Sequence, residues 1–554
     1  MLIDARTLPE DTIVEHDICI IGGGAAGITL AREFIDKPYQ ICLLESGGLD
    51  FDEATQSLYT GENTGLPYYP LKEARARYLG GSTNLWGGWS RPFDDIDFEY
   101  RPWMPYSGWP FTKADLDPYY NRAQKACNLG PFEYDFAYWK DALDQAQLRR
   151  FPFLGDEILT HFWQVIPPTH LRFGEAYRAE LEQAKNINTY LNANVVDIET
   201  NDTAQAVTRL RVASLEGKKF WVSAKVFILA AGGIENPRLL LVSNKVQSTG
   251  LGNQYDLVGR FFMEHPILRS GKLMLSNPAA LYTQKNMRFG DTFIGTGLGL
   301  SKAVQEREQL LNFATRLKPI LPEWVEAVNR LKYRVRHAKE PEAFPTVMAD
   351  RTYKSDTPVM EDLVKVIANF DRIAARAFAK LFKKSFYSRQ SNLCRTHLVA
   401  EQAPNPDSRI TLSRERDRLG LNRVQLDWRL SPIDKHTILR SQQIIAQEFE
   451  RSGLGQLEIE ITEDDSSWPT LYGGYHHMGT TRMSTNPKQG VVNEHCQVHG
   501  ISNLYIAGSS VFPTGGFANP TLTIIAVAIR LADHIKDHMV CSAGVTRELE
   551  ATST

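Results

Sequence analysis

Several features that would assign a protein to a specialised class are missing from this sequence. The six cysteines, spread over 554 residues, include no CxxC pair. Cys19 and Cys42 lie in apolar, strand-like runs, so we expect them to be buried hydrophobic residues rather than metal ligands or disulfide partners. The formal net charge is −3 at pH 7, which gives no general reason to expect a nucleic-acid partner.

Long hydrophobic runs are also missing. No stretch of about 18 apolar residues could span a bilayer. The amino terminus lacks an apolar h-region and a twin-arginine signal, so we expect a cytoplasmic protein. Internal repeats and low-complexity linkers are absent as well. At roughly 150 residues per domain, the length predicts two to four domains.

The clearest pattern near the amino terminus is a strand, a glycine loop, a helix and a second strand. Residues 17–21 and 40–44 are short apolar runs, which predict buried parallel strands. The sequence of residues 28–35 predicts the helix between them. Such a βαβ unit has the usual scale of about 30 residues. Residues 225–230 and 503–507 predict further strands of the same layer.

The glycine loop of this unit predicts a dinucleotide site. Gly22 permits a tight turn, Gly24 lets the backbone approach a pyrophosphate, and Gly27 lets the helix pack against the strand. Unpaired N–H groups at the helix amino terminus favour phosphate. Glu45 follows the second strand, where a carboxylate can bind ribose hydroxyls.

A second glycine-rich loop indicates which dinucleotide is bound, FAD or NAD. In residues 78–88 (YLGGSTNLWGG), two glycine pairs bracket small polar residues that can face another ligand surface. With this loop, the chain resembles the glucose–methanol–choline (GMC) oxidoreductases, which hold a GGSS or GGST loop against the flavin. The resemblance implies FAD as the cofactor.

The resemblance recurs in family order along nearly the whole chain. The matching segments are 193–198 (adenine contact), 230–233 (flavin-domain turn), 258–266 (a VGRNLxDHP-like motif), 475–480 (catalytic histidine) and 508–513 with 519–521 (terminal flavin contacts). It implies an α/β protein with a Rossmann-like FAD-binding domain. The second domain is expected to be an α+β substrate domain with a mostly antiparallel sheet, as in the glutathione-reductase-like flavin fold.

Two catalytic residues are implied by this resemblance. The family histidine beside flavin N5 falls on His476 and not on His477. Imidazole, with an ordinary pKa near 6.5, suits removal of a hydroxyl proton while hydride leaves carbon. Asn519 stands where the family has His or Asn. Asparagine is the variant seen in the sugar-oxidising branch that includes pyranose 2-oxidase. Its amide can bind the alcohol without titrating.

The cofactor contacts implied by the loops and the resemblance include departures from the family pattern. Covalent members have a histidine at the position of Leu85, so we expect non-covalent FAD. Trp86 replaces an asparagine, and Gly508 replaces an aspartate. The expected cofactor-binding residues are Gly22, Gly24, Ala25, Ala26, Gly27, Glu45, Gly81, Ser82, Asn84, Leu85, Val195, Gly508, Ser509, Pro520 and Thr521. No metal site is expected, because the histidines around 495–499 lack a four-ligand spacing.

The expected domains are discontinuous. Residues 1–99, 189–275 and 466–554 are assigned to FAD binding, and 100–188 and 276–465 to substrate binding. A helical insertion is expected at about 323–390, packed on the substrate domain or, as the alternative, lying on a membrane or partner. Its apolar stripes are Trp324, Val328, Leu331 and Val335, then Leu363, Ile367, Phe370 and Ile373. Its cations include Arg330, Arg334, Arg336, Arg372, Arg376, Lys380, Lys383 and Lys384.

The resemblance implies oxidation of a CH–OH group of a sugar, glycoside or polyol by hydride transfer to flavin N5, with His476 as base. One alternative keeps the scaffold but acts on a hydrophobic alcohol, sterol or natural-product intermediate, or performs redox-neutral lyase chemistry. Another is a non-catalytic flavin-binding subunit, against which the His476 and Asn519 pair argues. Oxygen, a quinone or a protein can be the electron acceptor, and an oligomer is possible.

Overall fold

Two large sheets, each covered by helices, dominate the computed structural model, which describes residues 1–145, 151–277, 287–337, 357–374, 392–463 and 471–552. The predicted fold class is confirmed: a Rossmann-like domain lies beside a domain with a mostly antiparallel sheet. Its helices are Ala25–Glu33, Glu53–Gln56, Asp95–Phe98, Lys113–Ala126, Phe136–Gln145, Pro168–Leu171, Phe173–Ala176, Arg178–Gln183, Gly232–Val242, Lys302–Glu308, Glu323–His337, Val359–Ile367, Pro432–Arg451 and Thr521–Thr552.

The first sheet gathers strands from distant parts of the chain. Their order is Leu2–Asp4, Ile187–Leu191, Ile41–Leu44, Ile13–Ile21, Lys219–Leu229, Val207–Ala213 and Asn194–Thr200, with Leu504–Ile506 beside the end of Lys219–Leu229. Its central strands run parallel, and their carboxyl-terminal parts are continuously apolar and buried, at residues 18–21, 41–44 and 226–229. The predicted strands at 17–21, 40–44, 225–230 and 503–507 are therefore confirmed. Cys19 and Cys42 lie side by side in this core, fully buried.

The second sheet is antiparallel. Its order is Gly455–Glu458, Lys272–Leu275, Leu393–Ala400, Phe313–Pro319, Thr292–Leu300, Ile158–Val165 and Trp89–Ser90. Pro266–Leu268 pairs with Leu393–Ala400 and with Leu471–Gly473, and Met287–Phe289 pairs with Thr292–Leu300. A small third sheet comprises Arg409–Arg416, Asn422–Asp427 and Glu62–Asn63.

The two faces of the second sheet have different neighbours. Leu298 and Leu398 belong to a core that includes Ile445 of the helix Pro432–Arg451. Side chains that alternate with these along the strands project from the opposite face. Trp163 is on that face and contacts Phe517 at a ring distance of 5.8 Å. This second face therefore lies against the segment that leads into the last helix.

The sheets do not follow the expected domain boundaries residue by residue. Ile187–Leu191, which straddles the expected boundary at 188/189, is a strand of the first sheet. Pro266–Leu268 and Lys272–Leu275, expected in the FAD-binding part, pair in the second sheet. Trp89–Ser90 pairs there as well. The chain thus crosses between the two sheets near residue 265, beside the histidine segment described below.

The expected insertion contains two helices in its described part, Glu323–His337 and Val359–Ile367. Arg330 donates to a carboxylate oxygen of Asp362 at 2.9 and 2.6 Å, and both side chains are buried. Arg330 was expected on a solvated basic face, but this ion pair fixes it between the helices. Burial is tolerated here because the charge is paired and hydrogen-bonded.

The apolar stripes of the insertion differ from the expectation. Trp324 is buried, whereas Val335, Ile367 and Phe370 are 79%, 72% and 68% exposed. The second stripe is therefore largely outside the core of the described chain. Arg376, Lys380, Lys383 and Lys384 lie outside the described residues. None of the helices in the described ranges has both the length and the apolar character needed to cross a membrane.

Candidate active site

The amino-terminal glycine loop has the backbone geometry that its sequence predicts. Gly22 has φ +110°, and a Cβ there would lie 2.7 Å from the Ala230 carbonyl oxygen. A Cβ on Gly27 would lie 1.8 Å from the Gly22 carbonyl oxygen, so the helix can approach the strand only with glycine. Gly24 precedes the helix without a side-chain cap, and no neighbouring atom occupies the space where its Cβ would project. Free N–H groups therefore face open space.

Glu45, the carboxylate predicted at the end of the second strand, is hydrogen-bonded to this loop. Glu45 accepts hydrogen bonds from the backbone N–H of Gly23 at 2.8 Å and of Gly47 at 2.9 Å. The carboxylate is buried at the edge of the parallel sheet. Each oxygen retains acceptor capacity for a ligand hydroxyl.

The second glycine loop lies opposite the first. Gly80 and Gly81 have φ values of +99° and +52°, and a Cβ on Gly81 would lie 3.0 Å from the Gly24 Cα. Asn84 donates to the Leu79 carbonyl oxygen at 3.0 Å, so its amide holds the loop rather than pointing into the space between the loops. Leu85 is buried in the wall of that space.

A cavity lies between the loops and extends to the histidine motif. Of the expected residues, it is lined by Gly22, Gly24, Ala25, Ala26, Glu45, Gly81, Ser82, Leu85, Val195, His476, Gly508, Ser509, Asn519, Pro520 and Thr521. Gly27 and Asn84 do not line it, because Gly27 packs the helix on the strand and Asn84 is bonded within its own loop.

Buried charges that sequence reasoning missed also line the cavity. Glu235 lies 3.1, 3.4 and 3.2 Å from guanidinium nitrogens of Arg75, Arg77 and Arg238. Burial alone would raise the pKa of Glu235, but these three charges outweigh it and lower the pKa to about 2. The Arg75 guanidinium also lies 3.9 Å from the Tyr59 ring centre. The spacing of Glu235 and Arg238 allows an i,i+3 pair on one helix, but nothing in the sequence shows that Arg75 and Arg77 meet them.

His476 and Asn519 meet at one end of the cavity. The His476 Nε2 and Asn519 Nδ2 atoms are 3.4 Å apart. On the other side of the ring, His476 Nδ1 lies 2.8 Å from His265 Nδ1. His265 was seen only as part of a family motif, and its contact with His476 is a property of the fold.

The hydrogen-bond chain fixes the tautomers of both imidazoles. His265 Nε2 lies 3.2 Å from the Gly515 carbonyl oxygen, which can only accept, so this nitrogen carries the proton. In a neutral ring, His265 Nδ1 is then an acceptor, and His476 Nδ1 must donate to it. The lone pair of neutral His476 is therefore on Nε2, which faces Asn519.

Burial keeps both rings neutral. Removal from water lowers the pKa of His265 to about 4. Burial, followed by the neighbouring His265 and His477, lowers the pKa of His476 well below its ordinary value. A neutral His476 with its lone pair on Nε2 can accept a proton at neutral pH.

Glu264 holds the backbone of the histidine motif by hydrogen bonds. Its carboxylate accepts from the backbone N–H of His476 at 3.0 Å, of Gly474 at 2.9 Å and of His265 at 3.0 Å, and from the Tyr68 hydroxyl. Burial raises the pKa of Glu264 to about 7, and these hydrogen bonds oppose the rise. The carboxyl group therefore holds the backbone that positions His476.

His477 has different surroundings. Its Nε2 lies 2.8 Å from the Tyr68 hydroxyl, and its carbonyl oxygen accepts from Ser509 Oγ at 2.6 Å. Burial lowers its pKa to about 3. His477 is thus a packed, neutral residue, and it also lines the cavity.

The cavity fits an elongated dinucleotide. Glycine backbone and an uncapped helix terminus form one part, a carboxylate lies at the strand edge, and an imidazole–amide pair closes the far end. In the described ranges, no group of three or more His, Cys, Asp or Glu residues is placed to hold a metal ion.

Comparison with known proteins gives matches over most of the chain. Residues 17–331 match the family described as FAD dependent oxidoreductase, and residues 404–528 match that described as GMC oxidoreductase. A 2-methyl-1,2-propanediol dehydrogenase from Mycolicibacterium austroafricanum is 24% identical, covering 94% of this chain and 95% of its own length.

A second relative and a solved structure agree with this similarity. The fructose dehydrogenase large subunit from Gluconobacter japonicus is 21% identical over 94% of this chain and 97% of its own length. The crystal structure of formate oxidase has a TM-score of 0.55 at 16% identity, covering 96% of this chain and 99% of that one. The structural likeness concerns the fold.

Proposed function

The chain belongs to the GMC oxidoreductases, FAD-dependent enzymes that act on CH–OH donors, and from this premise we propose that it oxidises a hydroxyl group of a sugar, glycoside or polyol. The observation behind the proposal is the neutral His476, whose Nε2 faces Asn519 at the end of the cavity. The names of two full-length relatives, a diol dehydrogenase and a fructose dehydrogenase subunit, support this substrate class.

The residues that would hold FAD follow from the cavity. The loop from Gly22 to Ala26 would bind the pyrophosphate through backbone N–H groups, and Glu45 would bind the ribose. Val195 would contact the adenine. When bound, FAD supplies the hydride acceptor. Leu85 offers no nucleophile for a covalent bond, so the cofactor is held without one.

In the reaction, His476 takes the hydroxyl proton of the substrate on Nε2. His265 prevents the other tautomer by accepting from His476 Nδ1. Asn519 orients the hydroxyl and donates to the oxygen as negative charge develops there, because its amide stays neutral. Pro520 and Thr521 place the start of the last helix at the cavity wall, where its N–H groups favour negative charge.

The test is anaerobic mixing of the purified holoenzyme with sugars, glycosides and polyols, followed by flavin absorbance. We expect His476→Gln to slow reduction by at least about 100-fold. His477→Gln is the matched control, and we expect it to remain within about tenfold of the wild type, because the Nε2 atom of His477 is already engaged by the Tyr68 hydroxyl.

Two results would contradict the assignment. One is a flavin that no CH–OH donor reduces. The other is a His476→Gln enzyme that is reduced as fast as the wild type by a donor that works. Repeating turnover with oxygen and with an artificial acceptor then identifies how the reduced enzyme is reoxidised.

A further inference from the structure

Three cationic side chains lie together on the second sheet. Arg316 and Lys318 belong to the same strand, and Arg269 follows a neighbouring short strand. Within the described ranges, none of the three forms an ion pair with a carboxylate. Nearby Arg395, by contrast, pairs with Glu460 at 2.9 Å. Arg269 and Arg316 are partly buried, whereas Lys318 is exposed beside them. Partly buried cations are normally paired, so the two arginines call for an anionic partner from outside the chain.

Hydrogen bonds and charge connect the three cations. Arg269 Nε donates to the Tyr472 hydroxyl at 3.0 Å, and His397 Nε2 lies 2.8 Å from the same oxygen. Arg316 is the direct cross-strand neighbour of His397. Burial, followed by the charges of Lys318, Arg269 and Arg316, lowers the pKa of His397 to about 2. The four groups therefore share one strongly positive region.

One ring nitrogen of His397 in this region also lacks a hydrogen bond within the described chain. Among the described residues, His397 Nδ1 has no hydrogen-bond partner, although it is shielded from solvent. An anion bound among these groups would stabilise the positive charges and could bring solvent or its own oxygen to His397.

The cluster borders the cavity that His476 also lines. The Arg316 guanidinium stacks 3.7 Å from the centre of the Trp89 ring, and Trp89 lines the cavity. On the adjoining flank, a Cβ on Gly474 would lie 3.4 Å from both His476 Cε1 and Ile267 Cδ1. Ile267 is two residues before Arg269 and shares its sheet face. A substrate with its reacting hydroxyl at His476 can thus extend over this face.

From this placement we propose that Arg269, Arg316 and Lys318 bind an anionic group of the substrate, a carboxylate or a phosphate remote from the reacting carbon. The inference rests on the proposed function and narrows it to acidic or phosphorylated sugars and polyols. Guanidinium groups suit both anions, because their planar donors match two oxygens at once. A neutral sugar or an apolar alcohol would leave the three charges uncompensated.

The experiment compares substrates that differ at one carbon. The reductive half-reaction is measured with D-glucose, D-glucuronate and D-glucose 6-phosphate, so that the carboxylate and phosphate arms are separate. We expect kcat/KM for one anionic member to exceed that for glucose by at least about tenfold. Lys318→Gln and Arg316→Gln should each lower this ratio by about tenfold, mainly through KM. Arg440→Gln is the matched control and should preserve the ratio within about twofold, because Arg440 is paired with Glu308 at 2.9 Å on the helix that covers the opposite face of the sheet.

Equal kcat/KM values for the three substrates, with no effect of Lys318→Gln on the ratio, would overturn the inference and leave the proposed function intact. If none of the three substrates reduces the flavin, isothermal calorimetry measures whether glucuronate or inorganic phosphate binds to the oxidised holoenzyme. Binding that Lys318→Gln and Arg316→Gln weaken, but Arg440→Gln does not, supports the site. Absence of binding, or binding that the variants do not change, rejects it.

Discussion

At the scale of single residues, the reactivity of His476 depends on an imidazole that does not itself reach the substrate. The Gly515 carbonyl fixes the proton of His265 on Nε2, and His265 in turn fixes the proton of His476 on Nδ1. The base nitrogen is therefore determined two contacts away from the reacting hydroxyl. His265 is a positioning residue.

Replacing His265 tests this relationship. In His265→Leu, nothing accepts from His476 Nδ1, so a fraction of His476 adopts the other tautomer. We expect kcat for flavin reduction to fall by about 10- to 100-fold with FAD still bound. After burial, His265 is the next cause that lowers the pKa of His476, so its removal should also move the acidic limb of the pH–rate profile to higher pH.

The conservative variant separates positioning from packing. In His265→Asn, an amide oxygen near the former Nδ1 can again accept from His476. We expect this variant to recover most of the lost rate. Equal losses in His265→Leu and His265→Asn, with unchanged pH profiles, would show that His265 only fills space.

Glu264 predicts a pH dependence of stability. Its pKa is raised to about 7 by burial, above its ordinary value of 4.5. Between these pH values the folded protein holds a proton that the unfolded chain has lost, so the free energy of unfolding falls as pH rises. The contribution is fully present below pH 4.5 and lost through pH 7.

Chemical unfolding at several pH values measures this contribution. Glu264→Gln cannot titrate, so its unfolding free energy should decline less than that of the wild type over the same range, by an amount of the order of 3 kcal/mol. The variant should also be less stable at low pH, because an amide cannot accept every hydrogen bond made to Glu264. Parallel curves for the two proteins would contradict the raised pKa.

At the scale of elements, local sequence predicted those parts of the site whose geometry is local. The strand, glycine loop and helix from Ile13–Ile21 to Ala25–Glu33 were predictable, because Gly22 and Gly27 satisfy constraints within a short segment. His265 and Glu264 were not predictable in their roles, because strand pairing brings them to the histidine motif from more than 200 residues away. Arg75 and Arg77 reach Glu235 for the same non-local reason, whereas Arg238 is its neighbour in one helix.

The glycine loop permits a paired prediction within one element. Alanine at Gly27 would place its Cβ 1.8 Å from a backbone oxygen, so Gly27→Ala should displace the helix and lower both stability and FAD content. At Gly24 no neighbouring atom meets a Cβ. The Gly24→Ala protein should therefore fold normally, but its added methyl group should project into the space that the cofactor occupies.

The two variants are compared by thermal unfolding of the apoproteins and by the flavin-to-protein absorbance ratio. Gly24→Ala should match the wild-type apoprotein in Tm within about 2 °C while losing flavin, whereas Gly27→Ala should lose several degrees. Full flavin content in Gly24→Ala would show that the cofactor does not approach this backbone.

At the scale of the whole molecule, the cavity joins segments that are far apart in the chain. The first glycine loop, the second glycine loop, the turn after Lys219–Leu229, the histidine motif and the start of Thr521–Thr552 all contribute to its wall. A ligand that binds these segments together stabilises the folded state relative to the unfolded chain, in which they are separated. Cofactor binding and global stability should therefore be coupled.

Removing FAD tests this coupling and the absence of a covalent bond together. Because Leu85 lines the cavity where covalent members have histidine, acid precipitation should leave the flavin in the supernatant and a colourless pellet. The apoprotein should unfold at a lower temperature than the holoprotein, and added FAD should restore Tm in a concentration-dependent manner. Mass action gives about 2.7 kcal/mol of stabilisation at free FAD of about 100 times Kd. A yellow pellet would disprove non-covalent binding, and a Tm independent of FAD would show that the cavity does not hold the segments together.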